Sequence, residues 1–286
     1  MTAPPRTITV FTHQFPDDTE GAVRRLIEVA TERDVQLRFP PGESEKHNLQ
    51  DCRGHVVDAP VDGETDLAVV LGGDGTILTA LRAFAGRKCP VFAFNYGAIG
   101  FLSTVDHGEL DRGMDLAFNG DFETIQMPAL SVDWEGRPRI GVNDISFQRR
   151  ANNRVARLEY CVGTEGLGRV RCDGLVAATP VGSTGYNLAN GGPVLAWGVE
   201  GFVVSFIAPH TLTARALVVA PQDNLTVKNL SEREEVDVTT DGRPLCELAP
   251  GEALDVSFRD DQVLLAQLPG STFYHRFREK FGRLAS

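Results

Sequence analysis

The chain has 286 residues, enough for two domains, because single hydrophobic cores usually stop growing well before that size. Its 39 acidic residues outnumber 28 Lys and Arg, and the formal charge of −11 argues against nucleic acid as the main partner. The most apolar stretch, residues 201–220, is interrupted by Pro209, His210 and Arg215, so it predicts buried strands and no membrane span. A start without a signal-like apolar run and five scattered cysteines without a CxxC pair are expected of a cytoplasmic protein.

The first third of the chain alternates strand-like and helix-like segments. Apolar and β-branched runs predict strands at residues 7–13, 35–39 and 91–95, and a further buried strand runs into a glycine turn at residue 72. Apolar side chains at helical spacing predict a helix over 19–33, and Asp106 starts another helix that Gly120 can end. Residues 40–64 are polar and rich in turn formers, which predicts a mobile connection. The alternation predicts a parallel sheet covered by helices.

After about residue 121 the pattern changes to short β-favouring runs separated by turns. This spacing predicts an antiparallel all-β second domain. Near the end, Phe273, Phe277 and Phe281 lie at helical spacing and predict a final helix that packs back onto the body. We therefore expect an α/β domain at 1–120, a β domain at 121–268 and a C-terminal helix at 269–286.

A glycine loop, Leu71-Gly72-Gly73-Asp74-Gly75-Thr76, is the sharpest local feature. Glycines between a strand and a helix let the backbone approach a ligand and direct N–H groups at an anion. An aspartate in such a loop suits Mg²⁺ bridging to phosphate, or a hydroxyl that must lose a proton during phosphoryl transfer. The alternative is a structural turn with an Asx hydrogen bond. Neither a Walker loop nor a GxGxxG turn is present, which disfavours a conventional NAD-dependent dehydrogenase.

A second segment of interest covers residues 172–193, where a predicted strand runs into a turn rich in hydroxyl side chains and glycines. The turn offers hydrogen-bond donors, acceptors and the aromatic face of Tyr186 to a polar heterocyclic ligand. Taken alone, it could also be an ordinary turn of a β domain.

Together the two segments resemble the NAD kinase family, whose pattern is GGDGT followed by DG…TPTGSTAYSLSAGGP. Three more stretches match in the family's order. Residues 95–102 are similar to its NxGxLGFL motif, Asn143-Asp144 to its Asn-Glu or Asn-Asp pair, and residues 208–215 to its PHxLxxRP segment. The resemblance implies a Rossmann-like N-terminal domain and an antiparallel β-sandwich C-terminal domain.

The resemblance also implies roles for particular residues. Asp74 is the expected proton acceptor for the 2′-hydroxyl of the adenosine ribose of NAD, and Gly73, Gly75 and Thr76 help seat phosphates. Asn143 and Asp144 match the pair that hydrogen-bonds NAD. Further expected substrate contacts are Asn95, Asp173, Thr184, Gly185, Tyr186, Asn187, Leu188 and Ala189. Arg154 and Arg171 occupy positions where the family often has a basic contact, and the alternative for both is a solvated surface arginine.

The expected reaction converts NAD into NADP with ATP or polyphosphate as the donor. Mg²⁺ is expected to be held by the donor phosphates and Asp74, without a dedicated protein cage. The resemblance further implies a homodimer or homotetramer. The alternatives are a lipid kinase with a GGDGT loop and a dinucleotide sensor that has lost the reaction.

Several residues depart from the family pattern. Thr79 replaces the usual arginine three residues after GGDGT, and Arg82, one turn later, is a candidate substitute. Val181 replaces a threonine and Gly185 an alanine. These departures bear on donor choice and NAD affinity.

Overall fold

The computed structural model describes residues 2–52, 54–97, 100–150 and 154–282. The chain divides into two compact units. Unit 1 comprises Met1–Gln126 together with Val263–Ser286, and unit 2 comprises Met127–Gln262. Within the described ranges, no helix is both long and apolar enough to cross a membrane.

Unit 1 begins with strands and helices in alternation. They are β1 (Thr7–Thr12), α1 (Glu20–Glu32), β2 (Gln36–Arg38), α2 (Pro41–Lys46), β3 (His55–Val56), β4 (Leu67–Gly72), α3 (Asp74–Ala83), β5 (Pro90–Asn95), β6 (Val105–Asp106) and α4 (Leu110–Asn119). Parallel pairing gives the strand order β5-β4-β1-β2-β3, and β6 pairs with β5. All residues of β4 and β5 are buried, as expected for central strands of a sheet covered on both faces.

The packing of unit 1 follows from its sequence pattern. Helix α1 buries an apolar stripe that joins the core beneath the sheet, made by Ala22, Val23, Leu26, Val29 and Ala30. Gly120 ends α4 in the left-handed region at φ 73°, a conformation that glycine adopts without steric cost. The predicted helix stop is therefore confirmed.

The expectation of a mobile connection over residues 40–64 is wrong in part, because α2 and β3 lie there. Helix α2 begins with Pro41 in its first turn, where the missing N–H is not needed. The buried Glu43 carboxylate accepts the N–H and the hydroxyl of Thr12 at 3.0 and 2.6 Å, and pairs with Lys46. A polar residue buried in a six-residue helix leaves no periodic signal in the sequence.

The remaining elements are mostly antiparallel strands. They are β7 (Glu123–Trp134), β8 (Arg137–Gly141), β9 (Asp144–Arg149), β10 (Ala156–Val162), β11 (Glu165–Cys172), β12 (Gly174–Ala178), α5 (Tyr186–Ala189), β13 (Phe202–Ile207), β14 (Leu217–Val219), β15 (Leu225–Asn229), β16 (Val236–Thr240), β17 (Arg243–Leu248), β18 (Ala253–Gln267) and α6 (Phe273–Phe281).

Unit 2 contains two antiparallel layers. One sheet has the order β14-β13-β12-β9-β16-β17. The other runs β11-β10-β15 and continues onto residues 253–256 of β18. Phe147 and Leu175 of the first sheet share a buried core with Leu158 and Val227 of the second. This is the predicted sandwich arrangement.

The end of the chain belongs to unit 1. Leu264 and Leu265 of β18 pair in parallel with Pro90 and Val91. Helix α6 then begins after Thr272, whose hydroxyl accepts the His275 N–H at 3.2 Å. The Phe273 and Phe281 rings of α6 pack against the Phe101 ring of unit 1, so the predicted C-terminal helix that packs back is confirmed.

Candidate active site

The glycine loop of unit 1 lies at the carboxyl end of β4 and opens directly into α3. Gly73 precedes the helix with extended backbone angles, φ −94° and ψ −174°, and no side chain among those described caps this N-terminus. The amides of Gly73 and Gly75 and the positive end of the helix dipole are therefore available to an anion, while the Thr76 N–H donates to the Gly73 carbonyl. Gly75 is exposed and has open space where a side chain would start.

Close backbone approach explains two of the glycines. A Cβ on Gly72 would lie 2.6 Å from the Thr76 hydroxyl oxygen, and a Cβ on Gly97 would lie 3.0 Å from the Cα of Gly73. The loop that follows β4 and the loop that follows β5 thus touch through glycines. Any larger residue would separate them.

Asp74 is held by the segment that follows this second loop. Its Oδ2 accepts the N–H of Phe101 at 3.0 Å, and its Oδ1 accepts the N–H of Leu102 at 3.2 Å. A Cβ on Gly100 would lie 2.2 Å from Oδ1, so this position also requires a glycine. Each carboxylate oxygen keeps a second acceptor site, and the half-buried side chain can still accept a hydroxyl hydrogen.

Asn95 is buried at the end of β5. Its Oδ1 accepts the Gly97 N–H at 3.2 Å, and its Nδ2 lies 3.4 Å from Oδ1 of Asp106. It lines a cavity of about 400 Å³, together with residues that include Asp106, Glu109 and Arg276. The side chain therefore shapes the loop after β5, and its contact with substrate stays a prediction.

Arg82 contacts the preceding turn of α3. Its Nη2 lies 3.4 Å from the Thr79 hydroxyl, which in turn donates to the Gly75 carbonyl at 3.0 Å. A guanidinium is thus present near the position where the family usually has its arginine. That Arg82 substitutes for that residue stays a prediction.

In unit 2, a single carboxylate organises the Asn143-Asp144 pair. Asp241 accepts three consecutive backbone N–H groups, from Val142 at 3.0 Å, Asn143 at 2.6 Å and Asp144 at 3.1 Å. Asp241 adopts a left-handed backbone with φ 46°, which Asp tolerates better than most residues. Sequence reasoning missed this residue, because Asp241-Gly242 has the pattern of an ordinary hairpin turn.

Asp144 is 6 % exposed. Burial, reinforced by the charge of Asp241, raises the pKa of Asp144 to about 7. This carboxyl can therefore exchange a proton near neutral pH, a property that is common at functional sites.

The glycine- and hydroxyl-rich turn packs against Asn143. The Thr179 N–H donates to the Asn143 carbonyl at 2.9 Å, and a Cβ on Gly182 would lie 2.0 Å from that same carbonyl oxygen. The side-chain Oδ1 of Asn143 is buried and has no hydrogen-bond partner among the described atoms. An unpaired buried acceptor costs free energy, and a ligand N–H can satisfy it.

Tyr186 and its neighbours continue this turn. Burial, and after it the charges of Asp144 and Asp173, raises the pKa of Tyr186, so the phenol lies near both carboxylates. Thr184 and Leu188 are half-buried, while Gly185 and Ala189 are exposed.

Asn187 differs from its neighbours, because it is fully buried. Its Nδ2 donates to the carbonyls of Ser183 and Pro193 at 2.9 and 3.0 Å. Asn187 therefore braces the turn from inside.

Asp173 is paired with a residue that the sequence did not single out. Its Oδ1 accepts the Arg149 Nε–H at 2.6 Å, and this hydrogen bond raises the pKa of Arg149. Arg149 is the last residue of β9, whereas Asp173 lies between β11 and β12, and no local motif links them. A ligand contact of Asp173 therefore has to coexist with this ion pair.

The two predicted arginines meet in one open cavity of unit 2, of about 940 Å³. Both side chains are exposed. The cavity is lined by five arginines and two glutamates, namely Arg154, Arg157, Arg169, Arg171, Arg233, Glu232 and Glu234. This local excess of positive charge in an acidic chain suits an anionic group.

Over the part of the chain that the structure describes, no three His, Cys, Asp or Glu side chains converge on a metal position.

Family models match both parts of the chain. Residues 21–122 match the ATP-NAD kinase N-terminal domain, and residues 142–268 match the ATP-NAD kinase C-terminal domain. An NAD kinase from Gemmatimonas aurantiaca is 34% identical over 227 residues, covering 77% of this chain and 78% of the relative. An NAD kinase from Syntrophotalea carbinolica is 32% identical, covering 78% of this chain and 80% of the relative.

Solved structures share the fold. A yeast NADH kinase complexed with NADH superposes with a TM-score of 0.87 at 22% identity, covering 99% of this chain and 89% of the other. An NAD kinase from Archaeoglobus fulgidus in complex with ATP gives a TM-score of 0.72 at 24% identity, with 98% of each chain covered. Because both domain models match and the bacterial relatives are 32–34% identical to this chain over most of their length, this chain belongs to the NAD kinase family, whose members phosphorylate NAD.

Proposed function

We propose that the enzyme transfers a phosphoryl group from ATP to the 2′-hydroxyl of the adenosine ribose of NAD, giving NADP. The observation that carries this proposal is the position of Asp74. Its carboxylate is fixed by two backbone N–H groups, and it begins a helix whose N-terminal amides face an open glycine turn. The ATP complex of the archaeal relative supports ATP as the donor, and polyphosphate is the second donor to be tested.

The chemistry follows from this geometry. A ribose hydroxyl is a weak nucleophile near neutral pH, and a carboxylate within hydrogen-bond reach helps to remove its proton as the new O–P bond forms and the bond from the γ-phosphorus to the ADP leaving group breaks. The amides of Gly73 and Gly75 stabilise the negative charge of the phosphates, whereas the Thr76 N–H donates to the Gly73 carbonyl at 2.9 Å, so Thr76 contributes through its hydroxyl. Phosphoryl transfer depends mainly on such positioning and charge neutralisation.

The residues present fit a Mg²⁺ ion held chiefly by phosphates. Both Asp74 oxygens already accept an N–H, and the described residues provide no carboxylate cage around them. Mg²⁺ usually keeps several waters and binds through one or two carboxylates and substrate phosphates. When bound, it supplies charge neutralisation on the donor.

Recognition of NAD is proposed for unit 2. The unpaired Oδ1 of Asn143 suits an amide or amine hydrogen of the dinucleotide, and the carboxyl of Asp144 suits a ribose hydroxyl. Tyr186 is 36% exposed, and its ring can stack on a flat heterocycle. Thr184, Gly185, Leu188 and Ala189 complete the surface of the turn, with Asp173, Arg154 and Arg171 as further polar contacts.

The test is a grid of donors and acceptors with purified protein and Mg²⁺. ATP and polyphosphate are each combined with NAD, NADH and a diacylglycerol or sphingoid lipid, and NADP(H) and lipid phosphate are quantified. We expect NADP from ATP and NAD. Phosphorylated lipid without NADP would replace the proposal with a lipid kinase, and calorimetric NAD binding without turnover on either donor would replace it with a sensor.

We also propose a cytoplasmic homodimer or homotetramer. Strand β14 is the edge of its sheet, and its Leu217 and Val218 are exposed, as is nearby Leu212. An exposed apolar edge strand favours pairing with another chain. Light scattering of the active enzyme should give a multiple of the 31.1 kDa chain, and an active monomer would contradict this proposal.

A further inference from the structure

Phe101 links Asp74 to the C-terminal helix. Its N–H donates to Oδ2 of Asp74 at 3.0 Å, and its C=O accepts Nη1 of Arg276 at 3.0 Å. The same Nη1 donates to the Ser103 carbonyl at 2.7 Å. The Arg276 guanidinium therefore holds residues 101–103, and the N–H groups of Phe101 and Leu102 in this segment hold the Asp74 carboxylate.

Arg276 is itself fixed in place. Its Nη2 donates to the side-chain oxygen of Gln267, a residue 1 % exposed at the end of β18. Burial lowers the pKa of Arg276, while the nearby charge of Asp74 acts in the opposite direction. The guanidinium thus bridges α6, β18 and the segment 101–103 from a mostly desolvated position, where hydrogen bonds to a charged donor are strong.

The Phe101 side chain is held by the same helix. Its ring centroid lies 6.3 Å from that of Phe273 and 5.8 Å from that of Phe281. The Lys280 ammonium lies 4.5 Å from the ring centroid, within cation–π range. Helix α6 therefore contacts both the backbone and the ring of Phe101.

We propose that Arg276 is a positioning residue for phosphoryl transfer, acting through Phe101 and Leu102 to orient the carboxylate of Asp74. The inference rests on the proposed role of Asp74. Arg276 touches no reacting atom in this scheme. Instead, Arg276 binds the carbonyl groups of Phe101 and Ser103. The N–H groups of Phe101 and Leu102 in the same segment set the direction of the Asp74 carboxylate.

The expected size of the effect follows from the demands of the reaction. Without the guanidinium, the carbonyls of Phe101 and Ser103 lose their buried donor, and the segment shifts towards other partners. A displacement of about 1 Å at a reacting group can cost about 10²-fold in rate. We expect NAD binding, which is proposed for unit 2, to be little affected, because these contacts lie within unit 1.

The test compares Arg276→Gln and Arg276→Lys with Arg278→Gln, a matched control on the exposed side of the same helix. We expect Arg276→Gln to lower kcat about 10- to 100-fold with little change in KM for NAD. Hydrogen exchange of the peptide that contains Phe101 and Leu102 should accelerate. Arg276→Lys should recover part of kcat, because lysine keeps the charge but lacks the planar fork. Arg278→Gln should match the parent in both measurements.

A double-mutant cycle with Asp74→Asn separates positioning from general stability. If Arg276 acts through Asp74, adding Arg276→Gln to Asp74→Asn should cost no further kcat. Full additivity would overturn the inference, as would parental kcat or parental amide exchange in Arg276→Gln. If Arg276→Gln does not fold, the test uses Arg276→Lys, whose Tm should equal that of the parent. A parental kcat in Arg276→Lys would then overturn the inference. Failure of the proposed function is distinct, because Asp74→Asn would itself retain turnover.

Discussion

Asp241 accepts the backbone N–H of Asn143 at 2.6 Å, although the two residues are 98 positions apart in the sequence. The same carboxylate takes the N–H groups on either side. Three converging N–H donors make a strong acceptor site, since hydrogen bonds to an ionised group contribute about 1.5–3 kcal/mol each. Asp241 therefore fixes the backbone from which the Asn143 and Asp144 side chains project, without being required to touch NAD.

Asp241→Ala should raise KM for NAD about tenfold or more, because the Val142–Asp144 backbone loses its common acceptor. Asp241→Asn should have a smaller effect, since the amide oxygen still accepts and asparagine tolerates the left-handed backbone. Asp261→Ala is the matched control, because Asp261 also has a positive φ, of 50°. Steady-state kinetics with varied NAD measures the effect. An unchanged KM in Asp241→Ala would show that the loop keeps its shape without this carboxylate.

Asp144→Asn should change the pH dependence of stability. The folded-state pKa of about 7 exceeds the ordinary aspartate value of 3.8, so the unfolded chain releases this proton at lower pH than the folded chain does. The stabilisation that the protonated Asp144 carboxyl gives the folded state is therefore complete below about pH 4. It declines as pH rises towards 7 and is lost above pH 7. At pH 8 the parent carries a penalty of roughly 4 kcal/mol, which follows from the difference between the two pKa values.

Urea unfolding at pH 4, 6 and 8 tests this expectation. Asp144→Asn should match the parent at pH 4 and exceed its free energy of unfolding by a few kcal/mol at pH 8, while its kcat/KM for NAD falls. A stability difference that is the same at all three values would exclude the buried carboxyl as its cause. A more stable, less active variant would mean that Asp144 is retained for substrate at the expense of the fold.

Much of unit 1 could be predicted from local sequence. Strand β5, the start of α3 and the stop at Gly120 depend on neighbouring residues: an apolar run, glycines before a helix and a left-handed cap. The amphipathic C-terminal helix was also visible, because three phenylalanines repeat at helical spacing. The buried Glu43 of α2 had no such signal, since its partner Thr12 lies in another element.

The residues that support the site could not be predicted in this way. Arg276 contacts a carbonyl 175 positions away, and Arg149 pairs with Asp173, 24 positions away. Neither lies in a motif, and an arginine near a chain end or on a strand is usually solvated. Motifs identified Asp74, Asn143 and Asp144, whereas the side chains that orient them became visible only once the chain was folded.

Asp74→Asn should lower turnover by about 10²–10⁴-fold with little change in NAD binding, because the amide cannot accept the ribose proton. Asparagine keeps an oxygen for one of the two N–H donors, so the loop should remain folded. Single-turnover rates and calorimetric NAD binding measure the two quantities separately. Near-parental turnover would remove the carboxylate from the mechanism.

Gly100→Ala should lower kcat about 10²-fold, because its Cβ would lie 2.2 Å from Oδ1 of Asp74 and the carboxylate must move. Gly108→Ala is the control, since Gly108 is exposed and a Cβ added there would meet no atom within 4 Å. Both variants are compared by kcat and Tm. A Gly100→Ala enzyme with parental kcat would show that Asp74 does not need its observed orientation.

Arg82→Gln should raise KM for ATP about three- to tenfold if this guanidinium replaces the arginine missing at Thr79, because a phosphate loses one charged partner. Thr79→Arg in the Arg82→Gln background should restore much of the loss, since it returns a guanidinium to the same helix one turn earlier. Arg87→Gln, whose parent side chain reaches the Val61 carbonyl, is the control. Unchanged KM for ATP in Arg82→Gln, with no gain from Thr79→Arg, would mean that the donor is bound without an arginine on this helix.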